Sequence, residues 1–182
     1  MLTMIISQKI VPFLYKQIGS EFQAFVLYLA IGSYFEIEAL PELAAFFFNQ
    51  ADEERQHGLK FIRFLVDNDV AVSIPPIPPA DSSFKDPESA IKLSLEREIN
   101  VTKEIHDLVR LAKEERDFTS DNFLQWFVKE QLEEVTLMDQ LLKMVQRAGK
   151  EQIMLVEDYL ARKGLSKNKE FPKELSMGES SD

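Results

Sequence analysis

Residues 51–57 read ADEERQH, a Glu-x-x-His pair (Glu54 and His57) that follows the oily run AAFFF of residues 44–48 by two positions. On a helix, residues three, four and seven apart share a face. Glu54 therefore shares its face with Phe47, Gln50, Ala51, His57, Gly58 and Phe61. That face is a core stripe with a carboxylate set into it.

The same test applied outward finds a matching carboxylate in each of three other helical stretches. Glu21 is flanked by Leu14, Ile18, Ala24, Phe25 and Tyr28; Glu98 by Ile91, Leu95, Val101, Thr102 and Ile105; Glu134 by Phe127, Gln131, Leu137, Met138 and Leu141. Each lies near the middle of its stretch, so all four can meet at one level. An isolated ionised carboxylate is costly to bury, and like charges together drive one another towards protonation. A pair of di- or trivalent cations, bridged by carboxylates and completed by an imidazole, satisfies both the charge and the oxygen lone pairs.

Any one of these residues has an ordinary explanation. A lone Glu in an apolar stripe is commonly a hydrogen-bonded or snorkelling side chain, and Glu-x-x-His alone arises by chance on acidic helices. It is the coincidence of four that favours metal. His106 has no carboxylate cluster on its face and reads as a surface or satisfied histidine. Tyr28, two turns beyond Glu21, is read either as core packing or as a hydrogen-bond or electron donor at the metals. Glu53, Glu130 and Glu133 form a second tier, either a solvated acidic face or a third cation site beside the first two.

Composition narrows the chemistry. Among 182 residues, 21 basic against 31 acidic side chains give a net charge of −10, with no basic stripe to neutralise phosphates, so nucleic acid and anionic membrane are not expected partners. Cysteine is absent, which excludes a disulfide framework, a thiolate zinc site and an iron–sulfur centre. No secretory signal pattern is seen, and the longest nearly apolar stretch, residues 24–32, is far short of the ~20 residues that cross a bilayer. A cytoplasmic protein is expected.

The chain reads as all-α. Helices are expected over about 8–37, 41–67, 87–115 and 120–148, with a short fifth over about 151–162 that ends at Gly164. Pro12 and Pro41 fall in first turns, and Asp86-Pro87 starts the third helix. Between the second and third helices runs DNDVAVSIPPIPPADSSFKDP, whose five prolines preclude a helix and whose length can traverse a bundle. Two short connections and one long one predict a four-helix bundle with a single crossover. Residues 1–164 are taken as one domain and residues 165–182 as a polar, disordered tail. Phe46, Phe47 and Phe48 point about 100° apart on a helix, so some of them are expected to meet another subunit.

With these residues in place, the chain resembles the bacterial-type non-haem ferritins over about residues 7–162. The motifs are Glu21 with Tyr28 seven residues on, Glu53-Glu54-Arg55-Gln56-His57, Glu98, and NFLQWFVKEQLEE over residues 122–134. The placing of glutamates and Glu-x-x-His pairs on facing helices is the known arrangement of ferritin-like bundles and is carried over with the resemblance. The resemblance implies that Glu21, Glu54 and His57 hold one iron of a ferroxidase centre, and that Glu54, bridging, with Glu98 and Glu134 holds the other. It implies that Gln131 lines the centre, that Glu53, Glu130, Glu133 and Glu134 form a third iron site, and that helix five lines a fourfold axis. It further implies a 24-subunit homo-oligomeric cage that takes Fe(II) and dioxygen and stores ferric mineral. Bacterioferritins differ: they carry a second Glu-x-x-His where this chain has residues 131–134, and a haem-binding Met where it has Arg55, so no haem is expected. Two other functions fit the residues alone, a di-iron oxidase acting on an organic substrate and a metal-free bundle used for assembly.

Overall fold

The computed structural model describes residues 5–80 and 82–164; the expected tail, residues 165–182, lies outside them. Four long helices, α1 (Val11–Ile37), α2 (Pro41–Asp67), α3 (Pro87–Glu114) and α4 (Phe118–Ala148), precede a 3-10 turn at Lys150–Gln152 and a short α5 (Ile153–Lys163). No strand occurs among the described residues. The architecture is the expected all-α bundle with one long crossover and a short fifth helix.

Side-chain pairs give the direction of each helix. Ser7, Lys16, Ser20 and Tyr28 meet Asp117, Glu104, Arg97 and Glu98 in turn, so α1 and α3 are antiparallel. Glu88, Ser94 and Glu98 meet Gln146, Met138 and Gln131, so α3 and α4 are antiparallel too. A short turn reverses α1 into α2, which leaves α2 parallel to α3. The crossover must then run the length of the bundle. It is seated on α1, where the Tyr15 hydroxyl donates to the Ala71 carbonyl and Pro75 presses on Gly19, its Cγ only 2.5 Å from where a Cβ would stand.

Local chemistry sets the helix starts. Asp86 accepts from the Ser89 amide at 2.9 Å while the Ser89 hydroxyl accepts from the Asp86 amide, a capping box with Pro87 at the first position. Helix α4 begins two residues earlier than expected because Asp117, not Ser120, is its cap: Asp117 accepts from the Ser120 amide at 2.9 Å and from the Ser7 amide at 2.8 Å. Helix α1 begins at Val11, after a turn closed by Ile10 on Ser7. The cap of α2 comes from far away in the chain. Leu40 offers no side-chain acceptor there, and Glu157 of α5 takes its place, receiving the Glu42 and Leu43 amides at 2.8 Å each.

Glu157→Ala is therefore expected to free two amides at the start of α2 and the anchor of α5 together. Loss of such a cap costs about 1–2 kcal/mol. A lower denaturation midpoint and faster amide exchange in α5 would show it; an unchanged midpoint would refute the assigned role.

Two of the three phenylalanines of the run turn inward and the third is only partly buried. Phe46 and Phe47 are both buried within the chain, in one cluster with Val156 and Leu160 of α5, and Phe48 lies over Gly32 of α1. The docked fifth helix supplies one wall of that cluster. Two apolar clusters fill the bundle, one from Ala24 to Phe35 on α1 with Met138 and Leu141 of α4, the other from Ile6 to Ile18 with Phe61, Ile105 and Phe127. Between them lies a belt of buried polar side chains: Glu21, Gln50, Glu54, His57, Glu98, Gln131 and Glu134.

Candidate metal centre

Each long helix sends a carboxylate into this belt, and Glu54 and Glu98 are 1% and 0% exposed. Single ligand atoms of Glu21, Glu54 and His57 lie within 4.8 Å of one another. His57 Nδ1 stands 3.6 Å from Glu54 Oε2, beyond hydrogen-bond range. The group is close enough to share an ion, and His57 makes no hydrogen bond to Glu54.

The unpaired atoms show the same thing. Glu21 Oε2, Glu54 Oε2, His57 Nδ1 and Glu134 Oε2 are buried with no hydrogen-bond partner. Buried polar atoms are normally paired, and leaving one unmet costs about 1–3 kcal/mol. With the Gln50 amide oxygen, likewise unmet, the belt holds five such atoms, and the three carboxylate oxygens and one imidazole among them make a donor set suited to a hard cation.

The remaining oxygens are held in place. Gln17, one turn before Glu21, donates to Glu21 Oε1 at 2.8 Å. Glu98 accepts from the Tyr28 hydroxyl on one oxygen and from Gln131 Nε2 at 3.0 Å on the other. Tyr28 and Gln131 thus act on Glu98 from α1 and α4, and each carboxylate that they or Gln17 touch has its rotamer fixed.

Electrostatics agree with the geometry. Burial, then the nearby Glu54 charge, pushes Glu21 well above the usual carboxylate range. Burial pushes Glu54 up strongly as well, helped by Glu98 and Glu134. Glu134 rises for the same reason, with Glu98, Glu53, Glu130 and Glu133 adding repulsion. Glu98 rises by burial but is restrained by its bonds to Tyr28 and Gln131. Burial and the Glu98 charge hold the Tyr28 phenol well above its ordinary value. Arg97 lowers both Glu54 and Glu98, and its guanidinium also bonds the Ser20 hydroxyl at 2.5 Å.

The second tier lies beside this belt. Glu53, Glu130, Glu133 and Glu134 line an open pocket of about 500 Å³ on the α2 and α4 side. His57 joins the two regions, its Nε2 being 3.7 Å from Glu130 Oε1. Glu53 is fixed by Gln50. His106 is exposed, away from both groups. Sequence reasoning missed Gln17 and Arg97. A buried amide one turn from a buried carboxylate was the available signal for Gln17, and a lone basic residue beside Glu98 was the signal for Arg97.

The profile of one protein family, described as Ferritin: Ferritin-like domain, matches residues 13–148. Ferritin BfrB of Mycolicibacterium smegmatis is 42% identical over 146 residues, covering 80% of each chain. A bacterial non-heme ferritin of Campylobacter jejuni is 31% identical over 166 residues, 90% of this chain and 99% of that one. Among solved structures, an open pore ferritin from the archaeon Archaeoglobus fulgidus superposes with a TM-score of 0.83 at 32% identity, over 87% of this chain and 98% of that one.

Proposed function

The chain belongs to the ferritin-like family, and from that premise we propose that it stores and detoxifies iron, oxidising Fe(II) to Fe(III) with dioxygen inside the bundle. The observation that carries this reading is the belt of buried carboxylate and imidazole atoms without partners. In it, Glu21, Glu54 and His57 hold one ferrous ion, and Glu54, bridging, holds the second with Glu98 and Glu134. A third ion binds among Glu53, Glu130, Glu133 and Glu134.

The residues drive the reaction through charge. Four carboxylates in a low dielectric favour the trivalent over the divalent ion, so electron loss from bound iron is made easier. Each ferrous ion gives one electron to dioxygen, which takes up protons from solvent. Gln17, Tyr28 and Gln131 keep Glu21 and Glu98 aimed during the change, and Tyr28, a phenol held on a ligand, is a side chain able to supply a further electron. Arg97 offsets part of the anionic charge when metal is absent. The open acidic pocket gives the ferric product a path out of the belt.

Storage requires an enclosed volume, and the reading includes a 24-subunit homo-oligomeric cage in the cytoplasm. No described helix is long and apolar enough to cross a membrane. Haem has no part in the reading, because Arg55 stands where bacterioferritins carry their haem-binding Met. An anaerobic Fe(II) soak followed by a crystal structure is expected to place two ions in the belt and a third in the pocket. A belt that stays empty while iron collects elsewhere would overturn the proposal.

A further inference from the structure

The chain's single tryptophan stands against the candidate centre, and a lysine covers it. Trp126 turns its ring edge-on to His57, with centroids 5.4 Å apart and planes at 74°. On its open side, Lys60 of α2 carries its ammonium 3.2 Å from the centre of the indole ring. The tryptophan is 38% exposed, so its ring joins the histidine to the surface. Lys60 is three residues beyond His57, on the next turn of the same helix, and holding it there partly desolvates the ammonium, which lowers its pKa against the pull of Glu130.

An ammonium over an indole face is attracted by the ring quadrupole. The attraction belongs to the neutral ring. If the indole loses an electron, the ammonium faces a like charge at contact distance, so the cation favours the reduced over the oxidised tryptophan. We propose that Lys60 is an electrostatic guard that keeps Trp126, the aromatic side chain joining the metal-binding histidine to solvent, from being oxidised. The use of such a guard rests on the oxidative function proposed above. Its physical effect does not, and it can be measured without iron.

Chlorine dioxide, a neutral one-electron oxidant, serves as the probe. It takes one electron from the indole and becomes chlorite, and the radical cation releases its ring N–H proton to water. The full chain, free of iron, is followed by the rate of loss of tryptophan fluorescence. Lys60→Met keeps a chain of similar bulk over the ring and removes the charge; it is expected to react at least about fivefold faster. Lys60→Arg keeps a cation and is expected to stay within about twofold of the parent protein. Acrylamide, a neutral quencher, reports access to the ring and is expected to quench the parent and Lys60→Met alike. A Lys60→Met rate within twofold of the parent, or a rise matched by a rise in acrylamide quenching, would overturn the proposal. If iron oxidation is absent but the Lys60→Met effect is present, the function fails and the guard stands.

Discussion

Glu54→Ala is expected to abolish rapid aerobic oxidation of Fe(II). Its face is the one on which the belt converges: Glu21, Glu98 and Glu134 all act on its charge, and His57 lies 3.6 Å from one of its oxygens. On the proposed function, loss of this side chain removes a ligand from both ions and the bridge between them. Outer-shell partners of a metal site alone are worth about 10- to 100-fold, so loss of a shared ligand should exceed about 100-fold in initial rate. Burial holds the Glu54 carboxyl towards its neutral form in the metal-free chain, so its removal strands no opposite charge and leaves a small void. Stopped-flow ultraviolet absorbance on protein of unchanged helicity and assembly size provides the measurement, and an oxidation rate within about twofold of the parent would refute Glu54 as the bridge.

Much of this molecule is legible because it is local. Prolines at first turns, Asp86 before Pro87, glycine after α4 and the five-proline crossover each act within a few residues, and the helix bounds follow from them to within about three positions. The four belt carboxylates are legible for the same reason, since helical spacing alone puts each in an apolar stripe. What was missed is tertiary. Glu157 reads as an unremarkable acid of a short helix, and only the fold brings it to the bare amides of Glu42 and Leu43, 115 and 114 residues away. Which sides of the Phe46–Phe48 run turn inward is likewise settled by the fold, where Phe46 and Phe47 join a cluster that includes α5 and Phe48 lies over Gly32. The start of α4 lies two residues before the expected 120, where Asp117 caps it and is also tied to Ser7, more than a hundred residues earlier. Spacing also separates the two tiers of glutamate, and the structure agrees, with Glu54 inside and Glu53 outside.

The metal-free protein is expected to become more stable, not less, as pH falls from 8 towards about 5, and bound divalent cation is expected to remove that dependence. Glu21, Glu54, Glu98 and Glu134 all have folded-state pKa values above the unfolded carboxylate value, first because of burial. Between the two values the folded chain holds more protons than the unfolded chain. Stability therefore falls as pH rises through the folded pKa values and recovers as pH drops below them, until the ordinary carboxylate range is reached. A cation bound to the ionised belt reverses the preference: the carboxylates then need to be deprotonated, and added metal stabilises most at the higher pH. Thermal midpoints of the apo protein and of protein loaded anaerobically with Fe(II), taken across this range, read both effects. The net charge of −10 offers a rival cause, since general repulsion also weakens as pH falls. The variant Glu54→Gln with Glu134→Gln separates the two, because it changes the belt and leaves the surface acids in place. A flattened pH slope in that variant assigns the effect to the belt, and a slope equal to the parent's assigns it to the surface and removes the buried-charge account of the site.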